Sequence, residues 1–138
     1  MNLPDNSEIH VIYWANTKDM TTTHIITHED GITKIKFLVS PSYEQAKLMI
    51  DEIAENYPYE KRLWDLSEIK FDFTTAEIQR IAEYGKLKFT KPNKLALFAL
   101  DDLAFGEMRQ FEVYREEEGK AFPRVFRNEQ EAIKWLNS

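Results

Sequence analysis

Seven residues from Lys94 to Leu100 read KLALFAL, and six of them are apolar. The run is short for a helix and lacks the polar alternation of a strand with one wet face. It suits a strand covered on both sides, the usual situation of parallel strands flanked by helices. A chain that contains such a strand must also supply the helices that cover it, and helical stripes do flank it. Upstream, Ile78, Ile81 and Ala82 recur at helical spacing behind Thr74, with Leu87 as an extension of the stripe. Thr74 and Glu77 have the spacing of a capping box, in which each side chain satisfies the other's free amide. Downstream, Asp101 and Asp102 suit a helix start, and Ala104, Met108, Phe111 and Tyr114 mark a core side, with Gly119 as the stop.

The remaining segments extend this alternation. Thr23 to His28 is rich in β-branched residues and is followed by the turn dipeptide Asp30-Gly31. Ile32 to Val39 then alternates, with Ile35, Phe37 and Val39 on one face and Lys34 and Lys36 on the other. Glu29 falls near Lys34 across that turn. Ser40 and Pro41 offer an N-cap and a first helical position for a helix with Tyr43, Ala46, Ile50, Ile53, Ala54 and Tyr57 inward, ended by Pro58. Arg62 to Leu66 reads as a central strand. Ala121 to Phe126 is a last strand, assigned to an edge because Pro123 cannot donate to a ladder. Asn128 caps a final helix with Ala132, Ile133 and Leu136 inward.

The expected fold is α/β: a single-domain mixed β-sheet of about four to six strands. It opens with a β-hairpin and continues as alternating helices and strands, helices mainly on one face. Residues 1–22 form an N-terminal arm that is polar over 1–8 and 16–22, with either a short strand or an apolar docking segment at 9–14; residues 23–138 form the domain.

Composition narrows the chemistry. The 138 residues include no cysteine, so thiolate metal sites and cysteine nucleophiles are excluded. The four glycines are isolated, which leaves no phosphate-cradling loop, and there is no Gly-x-Ser-x-Gly elbow. A net charge of −6 argues against a general nucleic-acid binder. No apolar run approaches the ~18–20 residues of a membrane span, and the first residues lack the pattern of a signal peptide. A cytoplasmic location is the expectation.

His24 and His28 lie on one face of a strand, ~13 Å apart at ~3.3 Å per residue. One ion cannot bridge that distance, so they read as surface histidines and no metal or cofactor is expected. Asp65 and Asp101 each follow the apolar part of a predicted parallel strand, where ligands of open α/β sheets bind. Two acids there could hold a metal ion or do acid–base work, but with no basic or nucleophilic partner fixed by motif, helix capping by Asp101 and turn formation by Asp65 are the favoured explanation. The basic run Lys86–Lys91 and the acidic run Glu116–Glu118 read as solvated helix ends.

From Arg62 the sequence runs Leu63-Trp64-Asp65-Leu66-Ser67, then Phe71-Asp72-Phe73-Thr74-Thr75-Ala76 into a helix. This resembles the STAS superfamily, SpoIIAA-like (anti-sigma-factor-antagonist-like) domains of bacteria. There a strand ends in Leu-Asp-Leu-Ser and Asp-Ser-Ser-Gly opens a helix. Val125 to Leu136 is similar to the closing strand and helix of that branch. The resemblance implies a helix-start hydroxyl phosphorylated by a partner kinase, which falls on Thr75 with Thr74 beside it. Phe73 stands where the family has an acidic residue, and Ala76 where it has glycine.

Two functions are therefore expected. The first is a non-enzymatic regulatory or protein-interaction module of STAS-like type, phosphorylated at a helix N-terminus. Its partner-binding residues would be Phe71, Phe73 and Ile69, provided they are exposed. The alternative is a binding or carrier protein for a small apolar or lipid-like ligand, with a pocket at Asp65, Asp101, Phe105 and Met108 and with Trp14, Phe111 and Phe122 as further lining. A homodimer through an exposed apolar strand edge is compatible with either.

Overall fold

The computed structural model describes residues 12–15 and 22–138. Expectations for 1–8, for 9–11 and for 16–21 lie outside these residues, as does the side chain of Trp14. Six strands and four helices follow in the order β1 (Ile12–Ala15), β2 (Thr22–Glu29), β3 (Ile32–Phe37), α1 (Tyr43–Asn56), β4 (Lys61–Asp65), α2 (Thr75–Lys88), β5 (Asn93–Phe98), α3 (Asp102–Arg115), β6 (Ala121–Phe126) and α4 (Glu129–Leu136). The fold is α/β with one mixed sheet, as its alternating pattern predicts.

The spatial order of strands equals their chain order, β1-β2-β3-β4-β5-β6. β1, β2 and β3 pair antiparallel, and β3 to β6 pair parallel. Each parallel crossover steps the same way across the sheet, so the right-handed rule puts α1, α2 and α3 on one face. The main core lies there: Ile35 and Phe37 of β3, Trp64 of β4 and Leu97 of β5 pack under Ile50, Ile53, Ile78, Ile81, Met108 and Phe111. The Trp64 ring sits 6.1 Å from Phe37 and 5.5 Å from Phe111, centroid to centroid. α4 follows the last strand and folds back over the opposite face, where Leu63, Ala96 and Phe98 meet Ala132 and Leu136. β5 is thus covered on both faces. Its alternate residues feed two cores, and each buried Leu contributes roughly 1.5–3 kcal/mol.

Local chemistry sets the boundaries. Asp30 (φ 53°) and Gly31 (φ 80°) both occupy the left-handed region between paired Glu29 and Ile32. That is the two-residue hairpin turn whose twist matches the strands. Thr74 caps α2 with the full capping box, and Asp101 and Asn128 cap α3 and α4.

Several details depart from the sequence reading. Ser42, not Ser40, caps α1, because Gln45 stands three residues on and completes a capping box. The Ser40 hydroxyl instead donates to the Lys70 carbonyl at 2.6 Å. Val39 lies beyond β3 and is exposed, as are Leu87 on α2 and Ile133 on α4. In α4 it is Trp135 that packs against the second core. Lys34 turns from the hairpin toward Asp65 and Glu129. α3 ends at Arg115, and Gly119 (φ 73°) serves the turn that follows.

Candidate functional site

All four helices begin at the carboxyl edge of the sheet, so every site residue expected near strand ends can be compared there. Each helix start presents free amides and a positive dipole end. Here side chains satisfy them. The Thr74 hydroxyl accepts from Glu77 N–H at 3.1 Å, while Thr74 N–H donates to the Glu77 carboxylate at 2.9 Å. The Asp101 carboxylate accepts from Ala104 N–H at 3.1 Å. Thr74 and Thr75 are both exposed. Thr74 is committed to its cap, and Thr75 is the first residue of α2.

Ile69, Phe71 and Phe73 are buried, with 7%, 2% and 7% of their surface accessible. The Phe71 and Phe73 rings lie 4.2 Å apart within the main core. They close the top of that core under the 66–74 loop, so the exposure that partner binding through them requires is not met. A residue the sequence reading passed over holds this loop. Glu107, buried on α3, accepts from Phe73 N–H at 3.0 Å. Burial pushes its carboxyl above the usual range, Asp72 and Asp101 push it further, and the Phe73 hydrogen bond opposes them. An acidic residue one turn after Leu103 on a core-facing stripe was its only signal.

Asp65, Asp101, Phe105 and Met108 do not gather into a pocket. The buried Asp65 carboxylate accepts from both the amide (2.9 Å) and the hydroxyl (2.5 Å) of Ser67 and lies 3.5 Å from Lys34 Nζ. Lys34 also meets Glu129 at 2.6 Å, which ties β3 and β4 to α4. Asp101 is a cap on the other side of the sheet. Met108 and Phe111 are packed in the core. Phe105 is half-buried beneath the Arg127 guanidinium, 4.0 Å from the ring centroid. Phe122 is exposed on β6.

His24 and His28 are buried, not surface residues. His28 Nδ1 lies 2.9 Å from the Thr33 hydroxyl, and its ring stacks on Tyr59 at 3.9 Å. His24 Nδ1 lies 2.9 Å from the Thr23 hydroxyl, and burial lowers its pKa to about 4. Among the described residues, no group of three or more His, Asp or Glu side chains is arranged to hold a metal ion, and no helix is long and apolar enough to cross a membrane.

The amino edge of the sheet is different. A groove of about 720 Å³ opens there, between the end of α1, the end of α2 and the strand starts at Lys61 and Asn93. Beneath it two arginines are almost wholly buried, Arg62 and Arg115, each 1% accessible. Arg62 donates to Asn93 Oδ1 at 2.5 Å and stacks on Phe89, 3.6 Å from the ring centroid. Arg115 donates to Glu117 at 3.2 Å. Burial, with Arg115 adding repulsion, lowers Arg62 to about 9. Gly85 makes room for this pair: a Cβ there would sit 2.8 Å from Arg115 Nε. Gly85 is therefore a close-packing position inside α2.

Compared with known proteins, the chain matches no family model, no curated protein and no solved structure.

Proposed function

We propose that the protein is a non-enzymatic regulatory module of STAS-like type that binds a protein partner through the carboxyl edge of its sheet and is switched by phosphorylation at Thr75. The observation that carries this reading is the exposed α2 start, where one threonine is used for capping and the next is not. Leu100 and Leu103 support it. Both are large apolar side chains more than half exposed, at 51% and 55%, at the start of α3. Leu103 is one turn from Glu107, which binds the residue preceding Thr74. An apolar contact patch therefore adjoins the phosphoacceptor. These two leucines take the anchoring role that buried Phe71 and Phe73 leave open.

The switch is electrostatic. A phosphoryl group adds about −1.5 to −2 charges. At Thr74 it would break the capping box. At Thr75 it would leave the cap intact and add charge to an edge that already carries Asp72, Glu77, Asp101 and Asp102. A partner that packs on Leu100 and Leu103 would be repelled. Phosphopeptide mapping of protein from its own cells is expected to find phosphothreonine at Thr75. Affinity capture is expected to recover one partner with the wild type and to lose it with both Thr75→Glu and Leu103→Asp. Absence of the modification across growth conditions, together with unchanged capture by both variants, would sink the proposal.

A further inference from the structure

The groove at the amino edge of the sheet has a chemistry of its own. Pro58, Tyr59, Phe89 and Pro92 give it apolar walls, and its charged lining is three lysines, Lys61, Lys88 and Lys91, against Glu60 alone. This is a local positive surface on a chain of net charge −6. Helix-end compensation accounts for Lys88 in the last turn of α2, which also pairs with Asp51 at 3.3 Å. Lys61 donates to Asn137 Oδ1, at the C-cap of α4, at 3.2 Å and, among the described residues, keeps its charge without a carboxylate. Helix-end compensation does not account for Lys91, which lies outside the helices and, among the described residues, has no acidic partner.

The floor adds to the imbalance. Phe89 and Asn93, the two contacts of Arg62, both line the groove. A guanidinium with no carboxylate therefore sits one layer beneath it, and its Nε has no hydrogen-bond partner. The neighbouring Arg115 also keeps one terminal nitrogen unpartnered, with Glu117 as its acid. A buried charge is ordinarily paired, and unpaired it costs several kcal/mol. In a low-dielectric floor such a charge projects its potential into the adjoining cleft.

We propose that this groove binds a small amphipathic anion, an acyl body carrying a carboxylate or phosphate head. The head would sit among Lys61, Lys88 and Lys91 above Arg62, and the acyl body would cover Pro58, Tyr59, Phe89 and Pro92. The volume falls in the range of sites that bury a drug-sized ligand, ~300–1,000 Å³. The site lies at the opposite edge of the sheet from Thr75, so the two readings stand or fall separately.

Isothermal titration of the full chain with decanoate and with decyl phosphate, both below micellar concentration, tests it. Acetate and inorganic phosphate serve as heads without a body, and octyl glucoside as a body without charge. Saturable binding of at least one decyl anion is expected, about tenfold or more tighter than acetate, inorganic phosphate or octyl glucoside. Which decyl anion binds tighter identifies the head. Lys91→Glu is expected to weaken binding about tenfold, whereas the charge-matched Lys134→Glu on α4 and the Thr75→Glu variant leave it unchanged. Absence of saturable binding overturns the proposal. So does equal affinity for octyl glucoside, equal affinity for inorganic phosphate, or a Lys91→Glu variant that binds as the wild type does.

Discussion

The two edges of one sheet solve the same electrostatic problem in opposite ways. At the carboxyl edge four helix starts bring free amides and positive dipole ends, and local side chains answer them: Ser42 with Gln45, Thr74 with Glu77, Asp101 and Asn128. Even the buried Glu107 is given a backbone donor. At the amino edge the strand starts and helix ends bring cations inward, and the fold supplies one carboxylate, Glu117, for two buried guanidiniums. A capped edge can be read as structure alone. An edge that keeps buried positive charge in excess has accepted a cost that capping cannot explain.

The contrast can be broken at three points. The largest effect belongs to His24, near the start of β2 and paired in register with Phe37 at the carboxyl edge of the sheet. Burial holds it neutral down to about 4, against an ordinary value of 6.5. The unfolded chain therefore takes up the proton first as pH falls. The stability His24 contributes is complete above pH 6.5 and is lost toward pH 4, up to about 3 kcal/mol. Urea unfolding between pH 7.5 and 4.5 should show this loss, and His24→Gln should flatten the slope. An unchanged slope would mean that carboxylates alone drive the acid response.

Next comes Glu107. Removing the acceptor in Glu107→Ala strands the buried Phe73 N–H and should cost about 2 kcal/mol. Glu107→Gln keeps an acceptor oxygen and sheds a charge whose pKa is already raised, so at pH 7 it should be neutral or slightly stabilising. A raised carboxyl weighs against the fold while ionised, and the penalty eases as pH falls through the raised value. Equal destabilisation by both substitutions would show that the negative charge itself holds the loop.

Smallest is Gly85→Ala at the amino edge. In an exposed helix it would gain up to about 1 kcal/mol. Here the new methyl would sit 2.8 Å from Nε of buried Arg115, and a net loss of about 1 kcal/mol is expected in thermal unfolding. A net gain would show that Arg115 can move aside and that the arginine pair is loosely held.

How much of this was legible depended on range. KLALFAL, the Asp30-Gly31 turn, the Thr74–Glu77 box and the cap at Asp101 are decided by residues within a few positions of one another, and each stands where its pattern put it, except that β5 stops at Phe98 and leaves Leu100 beyond it and exposed. Ser40 misled because the cap two residues on had the better partner in Gln45. Leu87 and Ile133 misled because helical spacing marks a face without saying where the neighbouring element stops.

Local patterning was enough to locate the strands, the helices and, through the right-handed crossover, the face that three of those helices share. Long-range packing alone makes Phe71 and Phe73 close the core, turns Asp65 to Ser67 and Lys34, and brings Arg62 and Arg115 together across more than fifty positions beside Gly85. The physical reason is that burial of a polar side chain is a property of what other elements bring against it. A hydrogen-bond acceptor on Asn93, a ring from Phe89 and a missing Cβ at Gly85 leave no local pattern around Arg62, yet together they create the charged floor on which the groove rests.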